Sequence, residues 1–205
     1  MRILVTGRDG QVACALRERL TSHDLLFAHR PDFDLADPAS IDRTVDAAAP
    51  DLILSVAAYT AVDRAEDEPD LARAINATGP GVLARAAARH AIPIIHLSTD
   101  YVFDGSGEKP WREADAVNPL GVYGATKLAG ERAVAASGAS HAILRTAWVY
   151  SPFGGNFVKT RTGRPGTRRP GMVSTMWRAP AAPIGPTLPA PSSHRARRAA
   201  DRARK

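Results

Sequence analysis

Residues 1–160 predict an α/β fold, a doubly wound and mostly parallel sheet with helices on both faces. Three observations predict it. Five short apolar runs rich in Ile, Leu and Val recur along the chain, stretches of helical period separate them, and a glycine-bearing turn directly follows the first run. Strands buried on both faces read as near-continuous apolar runs, and strands joined through helices pair in parallel with right-handed crossovers.

The elements follow in order. Arg2–Thr6 (RILVT) is an apolar strand ended by Gly7. Residues 11–20 form a helix, with Val12, Ala15, Leu16 and Leu20 at helical spacing. Residues 25–29 make a second strand. A helix then opens at Asp37-Pro38 and runs through Ile41, Val45 and Ala48, with Asp37 as N-cap and Pro38 at the first helical position. Residues 52–56 (LILSV) are a third strand, 69–91 one long Ala-rich helix, and 92–98 (IPIIHLS) a fourth strand. Residues 123–137 form another helix and His141–Thr146 a fifth strand. After Thr160 the pattern breaks. Residues 161–205 hold ten arginines, seven prolines and few large apolar residues, with no sustained period of 2 or 3.6. Such a segment buries too little surface to offset its ordering entropy, so a disordered tail is expected.

Charge divides the chain at the same place. The net charge of +6 over 205 residues suggests nucleic acid or an anionic surface as partner. Residues 161–205 alone carry +10, however, leaving 1–160 with 16 basic and 20 acidic residues, a net of −4. The tail has no aromatic interleaving, so it implies salt-sensitive attraction at most and no specific nucleic acid. No stretch approaches the ~20 apolar residues that span a bilayer, so no membrane partner is expected. The start MRILVTGRDG is too short in its apolar run for a signal peptide. Cys14 is the single cysteine, a small core residue in VACAL, and excludes an intrachain disulfide. A soluble cytoplasmic protein fits these features.

Two motifs carry chemistry. Thr6-Gly7-Arg8-Asp9-Gly10-Gln11-Val12-Ala13 is a G-x-x-G-x-x-A turn between the first strand and first helix. Its glycines let backbone approach a pyrophosphate, whose charge the helix N-terminus stabilises, so a dinucleotide is the expected ligand and the fold is Rossmann-type. The second strand ends at His29-Arg30, where an arginine accommodates a 2′-phosphate, which tilts toward NADPH with NADH as the alternative. Tyr123-Gly124-Ala125-Thr126-Lys127 is a Y-x-x-x-K at helical i, i+4 spacing, placing phenol and ammonium on one face. A lysine charge there lowers the tyrosine pKa toward neutrality, and the pair could deliver a proton to a carbonyl oxygen. The fourth strand ends at Ser98-Thr99-Asp100, at the carboxyl edge where doubly wound sheets bind ligands.

The runs Ser98-Thr99-Asp100-Tyr101-Val102-Phe103-Asp104-Gly105 and Pro119-Leu120-Gly121-Val122-Tyr123-Gly124-Ala125-Thr126-Lys127-Leu128-Ala129-Gly130-Glu131 resemble the extended short-chain dehydrogenases. Within them they resemble the dTDP-4-dehydrorhamnose reductases, as do Gly10-Gln11-Val12, 57–66 (AAYTAVDRAE), 145–150 (RTAWVY) and 156–160 (NFVKT). The resemblance implies reduction of dTDP-4-dehydro-L-rhamnose to dTDP-L-rhamnose by NAD(P)H. By resemblance, Gly7, Gly10, Gln11 and Val12 would hold the dinucleotide phosphates, and Arg30, Asp34 and Leu35 would flank its adenosine. Ala57, Ala58 and Thr60 would line the cofactor path. Thr99 would hydrogen-bond the substrate carbonyl beside Asp100, Tyr123 would supply the proton, and Lys127 would hold the nicotinamide ribose and tune Tyr123. Trp148 would border the sugar pocket, unless it is simply core, and Asp100 has the alternative of a turn residue. The resemblance also implies Mg²⁺ and a homodimer, although no metal ligand set stands out in the sequence.

Past Thr160 the resemblance implies a further helix, a V-D-D-like strand and a smaller domain closing on the sugar nucleotide, which the sequence does not continue. Residues from about 161 onward read as a shifted frame or a truncated gene. One codon choice for Val173-Ser174-Thr175-Met176 reads Leu-Asp-Asp in another frame. The expected domains are therefore 1–160, binding NAD(P), and a tail over 161–205, with catalysis impaired by loss of the substrate domain. Two alternatives stay open: a non-catalytic dinucleotide-binding subunit, similar to the regulatory subunit of methionine adenosyltransferase, and another nucleotide-sugar reductase or epimerase.

Overall fold

A computed structural model of the chain describes residues 1–106 and 108–162. The strands are β1 (Arg2–Thr6), β2 (Asp24–Ala28), β3 (Leu52–Ser55), β4 (Ile94–Thr99) and β5 (His141–Thr146). They form one parallel sheet in the order β2-β1-β3-β4-β5. The order reverses between β1 and β3, which leaves a crevice at the carboxyl ends of those two strands. The doubly wound α/β expectation holds.

The period of two in each strand sorts the core. Leu4, Ile53 and Ile94 face one side, packed on Ile41 and Val45 of α2 (Pro38–Ala48) and Leu83, Ala86 and Ala87 of α5 (Gly79–Arg89). Ile3, Val5 and Leu54 face the other side with Ala13 and Leu16 of α1 (Gln11–Arg19). Asp37 caps α2 as expected, accepting from the Ala39 amide at 3.0 Å.

Two departures from the expected elements have physical causes. A short helix, α3 (Val62–Asp67), stands where no element was expected; six residues are too few to show a helical period. The long helix over 69–91 is divided into α4 (Pro69–Arg73), a π turn (Ala74–Thr78) and α5. Pro80 has no amide hydrogen and its ring crowds the carbonyl four residues back, that of Asn76, so the backbone widens there. The helix α6 (Val122–Ala135) accommodates the bulge: a Cβ on Gly130 would stand 2.1 Å from the Asn76 oxygen.

The last helix among the described residues, α7 (Phe157–Thr162), crosses the expected boundary at 160. The expectations of a disordered tail and of a shifted frame concern residues that lie outside those described.

Candidate functional site

The first strand ends in a tight turn because Gly7 adopts φ +83°, a conformation that strains any residue with a Cβ. Thr6, fully buried beneath it, accepts the amides of Val56 and Ala57, each at 3.0 Å, and so ties the end of β3 to the end of β1. Gly10 then starts α1 in extended backbone, and a Cβ there would meet no heavy atom within 4 Å. The turn opens on a cavity of about 630 Å³, a size typical of ligand sites. Gly7, Gly10, Gln11 and Val12 line it, as do Ala57, Ala58 and Thr60 beyond β3.

The opposite wall comes from β4 and α6. Thr99, Asp100, Tyr123, Lys127 and Trp148 all line the same cavity. Thr99 Oγ1 donates to the Asp100 carboxylate at 3.1 Å and accepts from the Tyr101 amide at 3.2 Å, capping a 3₁₀ turn over Asp100–Val102. Asp100 is thus both a turn residue and a cavity residue. Trp148 is no core residue: it is 60 % exposed, has φ +53° and packs against Phe157 at 4.7 Å between ring centroids. Ser98 Oγ is buried without a hydrogen-bond partner among the described residues, and Ser98 also lines the cavity.

The Tyr123–Lys127 pair corrects one expectation. Burial pushes the Tyr123 phenol up rather than down; its hydrogen bond with Thr99 opposes this, and Asp100 and Tyr101 add to the rise. Lys127 is not among the groups that set this shift. Its ammonium is turned to the sheet, donating to the Leu97 carbonyl at 2.6 Å with His96 Nε2 at 3.4 Å. Lys127 is 2 % exposed, and burial lowers it to about 8 against the raising effect of Glu131. Tyr123 is therefore a neutral phenol at neutral pH, a proton donor rather than a base.

Arg30, Asp34 and Leu35 are not brought to this cavity. Leu35 is buried in the core, with its carbonyl against Gly79. The Asp34 carboxylate accepts from the Ala36 amide, closing a local turn. Gln11 does more than line the turn. Its Oε1 accepts from Ser151 and Asn156, each at 3.0 Å, and its Nε2 donates to the Val149 carbonyl, tying the loop after β5 to the glycine turn.

Several positioning residues escaped the sequence reading. Asn76, fully buried in the π turn, accepts the Tyr59 amide at 2.8 Å and donates to the Tyr59 carbonyl and to Thr126. It joins the loop after β3 to α6, and the one available signal was Pro80 four residues later. Glu66 of α3 accepts the Val122 amide at 2.8 Å, satisfying an orphan donor at the start of α6 one residue before Tyr123. Toward the other end of α6, Glu131 makes a two-pronged ion pair with Arg145 of β5, at 3.0 and 2.7 Å. Among the described residues no group of three or more His, Cys, Asp or Glu gathers as a metal site, and no helix is long and apolar enough to cross a membrane.

Known proteins share this arrangement. A family model described as the RmlD substrate binding domain matches residues 1–173, reaching beyond Thr160. The chain is 52% identical over 160 residues to a dTDP-4-dehydrorhamnose reductase of Sinorhizobium fredii, covering 78% of this chain and 54% of that protein. It is 47% identical over 165 residues to one of Escherichia coli, covering 78% and 55%. Among solved structures, a dTDP-4-dehydrorhamnose reductase of Clostridium acetobutylicum superposes with TM-score 0.77 at 40% identity, over 80% of this chain and 59% of that one. One from Bacillus anthracis in complex with NADP superposes with TM-score 0.76 at 36% identity, over 79% and 58%. The chain spans about half the length of the curated relatives it matches.

Proposed function

The chain belongs to the family of the RmlD substrate binding domain, and from that premise we propose that it carries the cofactor-binding and proton-donating half of an NADPH-dependent dTDP-4-dehydrorhamnose reductase. The observation that carries the proposal is one cavity at the sheet's carboxyl edge lined by the glycine turn on one side and by Thr99, Tyr123 and Lys127 on the other.

The residues fit a dinucleotide. Gly10 leaves open the space a side chain would fill, and the orphaned Ser98 hydroxyl is a buried group awaiting a partner. Gly7, Gly10 and the amides opening α1 would take the pyrophosphate, and Lys127 the ribose hydroxyls. The nicotinamide, when bound, supplies the hydride for a 4-keto sugar. Tyr123, kept protonated by burial, donates its proton to the keto oxygen, while the Thr99 hydroxyl, turning its one proton from the Asp100 carboxylate, offers that oxygen a second hydrogen bond. Trp148 borders the open side, where a sugar ring would stack. NADPH is the preferred cofactor, in line with the NADP complex of the Bacillus anthracis relative. Of the three residues after β2, Arg30 would flank the adenosine, while Asp34 closes its local turn and Leu35 stays in the core; the setting is cytoplasmic.

The test is a fluorescence titration of the purified chain with NADPH and NADH, followed by single-turnover reduction of dTDP-4-dehydro-L-rhamnose. Binding with NADPH favoured over NADH is the expected result; no binding of either at millimolar concentration overturns the proposal. Reduction slower than by full-length relatives is expected, because substrate contacts made by the rest of such proteins also orient the reacting carbon.

A further inference from the structure

His96 sits in the middle of β4, fully buried, and no step proposed above uses it. Its Nδ1 lies 3.0 Å from Ser55 Oγ on the neighbouring strand β3, and its Nε2 lies 3.4 Å from Lys127 Nζ on α6. A core histidine needs only that its two nitrogens be satisfied. Here one of the satisfying groups is the ammonium that lines the cofactor cavity.

An ammonium has three hydrogens and no lone pair, so Nε2 must be the acceptor and the ring proton must stand on Nδ1, donated to Ser55. We propose that His96 is a positioning residue for Lys127: anchored by Ser55 as the Nδ1–H tautomer, it presents Nε2 to the ammonium and, with the Leu97 carbonyl, takes two of its three hydrogens. The third is left for the cavity. The lysine head is thereby held at one point of the cavity wall instead of sampling the rotamers open to a free side chain. This inference rests on the dinucleotide reading of the cavity.

The surrounding charges fit the assignment. Glu131 on α6 is the acid that raises Lys127, and it is itself held by Arg145 of β5. Tyr123 on α6 is neutral. Ser55 on β3 carries no charge. Burial and the adjacent Lys127 lower His96 to about 3, so the imidazole stays neutral across the range in which the protein would work.

Two measurements test this on the full chain. The first needs no variant and no cofactor: long-range ¹H–¹⁵N spectra of the labelled protein read the His96 tautomer from pH 5 to 7, where Lys127 is an ammonium. A protonated Nδ1 with bare Nε2 throughout is expected. An Nε2–H tautomer, or an imidazolium at pH 6, overturns the proposal. The second follows the Lys127 side-chain ¹⁵Nζ midpoint and NADPH affinity in His96→Leu, His96→Gln and Ser55→Ala, with melting temperature recorded for each. Loss of the acceptor in His96→Leu lowers the Lys127 midpoint by about one unit, about the worth of one hydrogen bond to a charge, and weakens NADPH three- to tenfold. His96→Gln, whose amide oxygen can accept, recovers most of both, and Ser55→Ala falls between. A lowered melting temperature with unchanged Lys127 midpoint and affinity marks a merely structural histidine and refutes the proposal. If the wild type binds no NADPH, the dinucleotide reading fails, while the tautomer and the Lys127 midpoint still decide the role of His96.

Discussion

Replacing Gly10 by alanine separates ligand binding from folding. Gly10 is the N-cap of α1 at φ −70° and ψ 155°, a conformation open to alanine, and no protein atom stands within 4 Å of the added Cβ. Loss of chain entropy in the unfolded state stabilises by about 0.4–1 kcal/mol, and alanine is a poorer N-cap than glycine by roughly 0.5–1 kcal/mol. These nearly cancel, so the melting temperature should move by no more than about 2 °C in a domain of this size. A pyrophosphate lying on the turn meets the methyl group directly. Forced overpacking costs about 1–3 kcal/mol, which is roughly a 5- to 150-fold loss of NADPH affinity. Fluorescence titration and thermal melts on the same preparation measure both. Unchanged affinity with unchanged melting temperature would refute the placement of the phosphates. Gly7→Ala is the contrast: with φ +83° and Ala57 at 3.3 Å, it should lower stability by about 1–2 kcal/mol as well as affinity.

Three further outcomes follow from the packing and the charges. Gly130→Ala drives a Cβ to 2.1 Å from the Asn76 carbonyl, so α6 must withdraw; a loss of about 1–3 kcal/mol should appear in a urea melt, and unchanged stability would show that the π turn yields freely. Arg145→Met strands the Glu131 carboxylate, whose side chain is 6 % exposed, at a cost of about 2–4 kcal/mol, and Glu131→Gln in the same chain should restore part of it. His96 stays unprotonated in the folded chain down to about pH 3 but binds a proton near 6.5 when unfolded, so stability falls as pH drops from 6.5 toward 3, by up to about 5 kcal/mol. Urea midpoints from pH 4 to 7 should slope less for His96→Gln than for wild type; equal slopes would remove His96 as the source.

Residue type and spacing were enough to read the strands, their parallel pairing and the two chemical motifs. Apolar runs of four to six residues must be buried on both faces, and helices between them admit one crossover hand. The glycine turn and the Tyr123–Lys127 interval are local in the chain, so no distant residue is needed to recognise them. Where each polar group finds its partner is a property of the assembled fold. Nothing in Y-x-x-x-K tells that Lys127 turns to Leu97 and His96, or that burial raises Tyr123 instead of a lysine lowering it. Asn76, Glu66 and Thr6 are single polar residues without a pattern, and their partners lie 17 to 56 positions away. Arg30, Asp34 and Leu35 are near the turn in space only if the loop after β2 folds toward it, and the cavity forms without them. Desolvation and long-range hydrogen bonding depend on which strands become neighbours, and the order β2-β1-β3-β4-β5 set those neighbours after the local pattern had made the strands.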